Sequence, residues 1–163
     1  GREDEIGAHR ALDLVALQVG EIDRRVGQGT RQFGVADFVG GLGTTGTLMG
    51  CSRYLKERNP AIQVVGVHPA PGASVPGIRK WPEEYQPRIY DRSRVDRIIE
   101  VTQPESEEMA RRLAAEEGIF AGISSGGGLA AALKVSAGAK DAVIVHVVCD
   151  RGDRYLSTGV FPA

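Results

Sequence analysis

From Val35 onward, short β-rich apolar runs alternate with segments of helical period, which is the sequence form of a parallel sheet covered by helices. Residues 35–39 predict a first strand and residues 63–67 a second. Between them residues 45–58 predict a helix with Leu48, Cys51, Ser52 and Leu55 on one face, ended by Asn59-Pro60. Residues 97–101 predict a third strand. Pro104 then opens a helix with Glu105, Glu107 and Glu108 in its early turns, Met109 and Leu113 as its buried stripe, and Gly118 as its cap. A short apolar run at 119–123 leads to a glycine-rich turn at 124–128 and an Ala/Leu-rich helix ending near Gly138. Residues 142–148 read as a continuous apolar strand buried on both faces.

Three segments follow apolar runs and therefore fall outside the carboxyl ends of strands, where open parallel sheets bind ligands: 41–47, 124–128 and 149–154. In the first, Gly41-Leu42-Gly43-Thr44-Thr45-Gly46-Thr47, glycines let the backbone turn sharply and approach a ligand. Amides at the helix start and the hydroxyls of Thr44, Thr45 and Thr47 can donate to phosphate oxygens. Residues 69–94 contain five prolines and no sustained period, a long connection of the kind that carries function.

Bulk properties narrow the partner. Twenty basic and 21 acidic residues leave a net charge of −1, which gives no electrostatic reason to expect nucleic acid or an anionic membrane. No apolar stretch approaches the roughly 20 residues of a membrane helix, and no secretory pattern opens the chain. The two cysteines, Cys51 and Cys149, form no C-x-x-C and have no histidine pair nearby, so neither a disulfide framework nor a metal site is expected. A small metabolite in a reducing cytoplasm fits these facts.

Gly41-x-Gly43-x-x-Gly46 also matches a dinucleotide fingerprint between strand and helix. The acid expected about 20 positions on, to hold a ribose hydroxyl, is missing, since the next strand ends in Val67-His68-Pro69-Ala70.

The two glycine-rich turns together with Cys149-Asp150-Arg151-Gly152-Asp153-Arg154-Tyr155-Leu156-Ser157-Thr158 resemble the pyridoxal-phosphate (PLP) β-family, and within it the cysteine synthases, or O-acetylserine sulfhydrylases. Residues 53–60, 75–85 and 149–158 resemble the cysteine synthase B branch, in the right order and nearly continuously from about residue 35 to 162. The resemblance implies an α/β chain of fold-type II, tryptophan synthase β-like: a parallel sheet with flanking helices, truncated to residues 34–163. It implies PLP as cofactor, with its phosphate held by Gly43, Thr44, Thr45, Gly46 and Thr47, and with Ser124 facing its pyridine nitrogen. Ser125 offers the alternative of a helix N-cap.

The reaction implied removes a leaving group from the β-carbon of an activated serine and adds a sulfur nucleophile, sulfide or thiosulfate, in a parent that is a homodimer. Arg79 would stand near the incoming substrate, with Lys80 at a position where arginine is common in this branch. Cys149 would line the site or pack at the end of its strand. Asp150 and Asp153 suggest ion pairs with Arg151 and Arg154, His146 reads as a satisfied core histidine, and Cys51 as the buried face of its helix. His68 stays ambiguous.

The family's chemistry begins from a lysine that holds the cofactor as a Schiff base. Lys56, Lys80, Lys134 and Lys140 are the four lysines, and none lies in a Ser-Val-Lys-Asp type of context. The chain thus resembles the C-terminal half of such an enzyme and carries no catalytic lysine. A non-catalytic remnant or interaction domain of the same fold, and a dinucleotide-binding module, are the alternatives. Residues 1–33 do not align with the family, and residues 8–25 predict an amphipathic helix with Leu12, Val15, Ala16 and Ile22 as its apolar side.

Overall fold

The computed structural model describes residues 35–140 and 142–161, so the predicted helix at 8–25 lies outside the described residues. Four parallel strands, β1 (Val35–Gly41), β2 (Gln63–Pro69), β3 (Arg97–Val101) and β4 (Val143–His146), form one sheet in the order β3-β2-β1-β4. Phe38 faces Val64 and Val145, and Val39 faces Val65 and His146, across the two central pairings. The central strands are covered on both faces, which is why Val39, Val64, Val65 and Val67 are fully buried.

Helix α1 (Gly46–Arg58) joins β1 to β2 and buries Leu48, Met49, Ser52 and Leu55 on one face of the sheet, in a core with Phe38, Leu42, Ile62 and Val64. On the opposite face α3 (Ile123–Ser136) packs against Val39, Val65, Val67 and Val101, and α2 (Gln103–Glu117) lies against α3 through Leu113, Ala121 and Leu129. The start of α2 is well specified. Thr102 accepts from the Glu105 amide at 3.3 Å, the Glu105 carboxylate accepts from the Thr102 amide at 2.7 Å, and Gly118 ends the helix at φ 68°.

Two expectations need correction. Residues 124–128 form no turn; they belong to the first half of α3, whose N-cap is Gly122. Their glycines answer to space. A Cβ on Gly126 would stand 2.0 Å from the Ser106 carbonyl oxygen, one on Gly127 3.0 Å from Ile78, and one on Gly128 3.3 Å from His146 Nδ1. Close approach on three sides offsets a helix cost of about 1 kcal/mol per glycine. The last strand is also shorter than expected. It ends at His146, with one further tie from the Val147 amide to the Val39 carbonyl at 3.3 Å, and Val148 is exposed because β4 stands at the sheet edge.

From β1 the chain leaves over one face through α1, and it reaches β4 over the other face through α2 and α3. The carboxyl ends of β1 and β4 are therefore a topological switch point, the place where open α/β sheets form a ligand crevice.

Candidate functional site

The loop after β1 runs straight into α1 with Thr45 as N-cap, and Thr45 is the sole non-glycine at positive φ (65°) among the described residues. A left-handed threonine costs about 1–2 kcal/mol, a strain that concentrates at ligand sites. No side chain caps the helix and no acid occupies its first turn, while Lys56 and Arg58 stand in its last. The amides of Gly46, Thr47 and Leu48 thus face outward at the positive end of the helix dipole with no preceding carbonyl to take them. Thr44 and Thr47 are exposed at this mouth. These features fit a phosphate group.

The Thr45 hydroxyl does not share in that mouth. It is sealed from solvent and without a protein partner, and the residue borders a chamber of about 40 Å³ lined also by Leu42, His68, Trp81, Gln86 and Tyr90. Of the three threonine hydroxyls expected to donate, only those of Thr44 and Thr47 are on the open side. His68, the ambiguous histidine, lies here half-buried; desolvation and then nearby Lys80 hold its pKa below the ordinary value, against an opposing pull from Glu100.

The connection from β2 to β3 is folded onto the loop after β1. Val75 and Ile78 are buried, the Arg79 amide donates to the Leu42 carbonyl at 2.8 Å, and the Trp81 indole donates to the Gly43 carbonyl at 2.6 Å. Gly77 (φ 88°) is the junction: a Cβ on Gly43 would lie 2.7 Å from its carbonyl oxygen, and a Cβ on Gly77 itself would lie 3.0 Å from Ser124 Oγ. The elements holding Gly43 and Ser124, 81 positions apart in sequence, thereby meet at one residue. The same connection encloses a pocket of about 390 Å³ lined by Ser74, Val75, Ile78, Arg79, Lys80 and Trp81, among others. Arg79 is exposed there with its guanidinium 5.2 Å from the Trp81 ring centre, and Lys80 pairs with Glu100 at 3.1 Å.

Ser124 is buried in the first turn of α3. Ser125 is not an N-cap; its hydroxyl accepts from the Cys149 amide at 3.0 Å and so ties α3 to the chain leaving β4. Cys149 is exposed rather than packed into the core, although desolvation still raises its thiol pKa, with a Ser124 hydrogen bond lowering it and Asp150 raising it. Of the expected ion pairs, Arg151–Asp153 forms at 3.1 Å, whereas Asp150 accepts instead from the Tyr155 hydroxyl at 2.7 Å. Burial, with Asp150 adding to it, pushes the Tyr155 phenol up to about 12.

His146 departs from expectation too. It is buried but its Nδ1 has no partner, and burial lowers its pKa to about 4. Cys51 is half-buried against the α1 core, close to its expected place. Trp81 is the functional candidate the sequence did not single out, and its signal was modest: a lone tryptophan beside Arg79 and Lys80 in a proline-rich connection.

A sequence model of the family described as pyridoxal-phosphate dependent enzyme matches residues 19–150. The cysteine synthase B of Pseudomonas aeruginosa is 59% identical over 127 residues, which cover 78% of this chain and 42% of that protein. The cysteine synthase B of Escherichia coli is 50% identical over 127 residues with the same 78% and 42% coverage. Among solved structures, O-ureido-L-serine synthase matches with a TM-score of 0.71 at 35% identity, covering 78% of this chain and 43% of that one. The chain spans about two fifths of the length of the curated relatives it matches.

Proposed function

This chain belongs to the pyridoxal-phosphate dependent enzymes, and from that premise we propose that it is the phosphate-holding part of an enzyme that makes L-cysteine, or S-sulfocysteine, from an activated serine and a sulfur donor. The observation that carries the reading is the contact line from Gly43 through Gly77 to Ser124. It sets an uncapped helix N-terminus suited to a phosphate near a buried hydroxyl suited to an aromatic nitrogen.

When bound, PLP supplies an electron sink that lets a leaving group depart from the β-carbon of an amino acid. The amides of Gly43, Thr44, Thr45, Gly46 and Thr47 and the hydroxyls of Thr44 and Thr47 would hold its phosphate at the positive end of α1. Ser124, buried in the first turn of α3, would face the pyridine nitrogen as a neutral hydrogen-bond donor. The Ser124 hydroxyl would supply a hydrogen bond there without the negative charge an acidic side chain would bring. Arg79, on the 390 Å³ pocket, meets an anionic leaving group or sulfur donor. Cys149 borders the site at the carboxyl end of β4.

Lys56 is held by Asp96 at 2.7 Å, Lys80 by Glu100 at 3.1 Å and Lys134 by Glu105 at 2.8 Å, while Lys140 is exposed beyond the end of α3. None of the four stands at the cradle as a nucleophile, so the chain by itself does not carry out the replacement. Incubating the purified chain with PLP, O-acetylserine and sulfide tests both parts. Saturable, reversible PLP binding without cysteine above a protein-free control is expected. Cysteine production with the cofactor covalently attached would overturn the claim of inactivity, and no saturable binding would overturn the phosphate-holding role.

A further inference from the structure

The cradle's geometry is set from outside by the proline-rich connection, through two successive peptide groups. The Leu42 carbonyl takes the Arg79 amide at 2.8 Å, and the Gly43 carbonyl takes the Trp81 indole N–H at 2.6 Å. In a trans peptide the carbonyl and the following N–H point in opposite directions. Fixing these two carbonyls against the 75–81 segment therefore fixes the Gly43 and Thr44 amides away from it, as part of an anion-binding row of N–H groups. The indole also borders both the chamber beneath Thr45 and the 390 Å³ pocket, and Arg79 lies over its ring at 5.2 Å.

We propose that Trp81 is a positioning residue that aims the Thr44 amide at the phosphate and links the Arg79 pocket to the phosphate cradle. The inference rests on the phosphate-holding role above. Trp81 touches no reacting atom; it acts through the Gly43–Thr44 peptide. An anion drawn to Arg79 shifts the guanidinium on the indole face, and the indole transmits that shift to the Gly43 carbonyl.

Trp81→Phe keeps an aromatic face for Arg79 and removes the donor. Titration calorimetry with PLP and with inorganic phosphate should give an affinity about three- to tenfold weaker for this variant, the loss expected of one hydrogen bond. Amide hydrogen exchange should quicken at Thr44 while the unfolding midpoint stays within a few degrees. The unaltered chain gives an independent reading, because its single tryptophan contributes one indole N–H resonance. That resonance should shift when inorganic phosphate saturates the cradle and shift again on adding thiosulfate. Equal affinity in the variant, or an indole resonance indifferent to phosphate, would overturn the inference and leave the phosphate-holding role intact. No binding of either probe to the unaltered chain would overturn both.

Discussion

The Cys149 amide donates to the Ser125 hydroxyl at 3.0 Å, joining the chain beyond β4 to the first turn of α3. The two adjacent serines therefore make different predictions. Ser125→Ala leaves a part-buried N–H without its acceptor and should cost about 1–2 kcal/mol in urea unfolding. Ser124→Ala should cost less in stability and show its effect in PLP affinity. Equal stability losses with no change in PLP affinity would contradict the division.

Glycines in two helices make opposite predictions. Gly50 lies in α1 with nothing within 4 Å of where a Cβ would stand, whereas a Cβ on Gly126 would meet the Ser106 carbonyl oxygen at 2.0 Å. Gly50→Ala should raise stability by about 0.5–1 kcal/mol. Gly126→Ala should lower it by about 3 kcal/mol, since α2 has to move off α3. Thermal unfolding of the pair checks the sign as well as the size.

His146 gives the fold an acid-sensitive element. Burial disfavours the charged imidazole and lowers its pKa from 6.5 to about 4 in the fold. Between those values the unfolded chain binds the extra proton, so this contribution to stability is whole above pH 6.5 and lost progressively as pH falls toward 4. The loss is on the order of 3 kcal/mol. His146→Leu should flatten that part of the stability–pH curve. Glu105 acts in a lower window. Hydrogen bonds, first from Lys134 and then from Thr102, hold its carboxyl at about 2, so its contribution is present above 4.5 and lost only as pH falls from there toward 2.

The Thr45 hydroxyl is buried without a protein partner, the arrangement in which a polar group costs the fold most. Thr45→Val keeps the β-branch and the backbone strain and removes only the hydroxyl. Removing an unpartnered buried hydroxyl should raise stability by about 1 kcal/mol in urea unfolding, and a loss of stability would contradict the reading of Thr45 as unpartnered.

Much of this fold was legible because its signals are local. The β-branched runs at β1, β2 and β3 and the Thr102–Glu105 cap of α2 state their structure within a few residues. Gly126, Gly127 and Gly128 misled because a glycine run reads as a turn, and only the neighbours Ser106, Ile78 and His146 explain why a helix needs them. His146 misled in the same way, since a histidine within an apolar strand does not announce that its Nδ1 will lack a partner. At the site, the cradle's glycines and threonines are a local pattern. The Trp81–Gly43 bond spans 38 positions and the Gly77 junction depends on three separate segments, so neither leaves a trace in spacing.

In the proposed site, residues 43–47 hold the phosphate of PLP and Ser124 lies near the other end of the cofactor. Backbone amide NMR of the unaltered chain titrated with PLP, and in parallel with pyridoxal lacking the phosphate, tests it most directly. Saturable shifts centred on Gly43, Thr44, Gly46 and Thr47, with a second set at Ser124, are expected for PLP, and the first set should be lost for pyridoxal. Shifts that avoid the cradle, or that are the same with and without the phosphate, would contradict it.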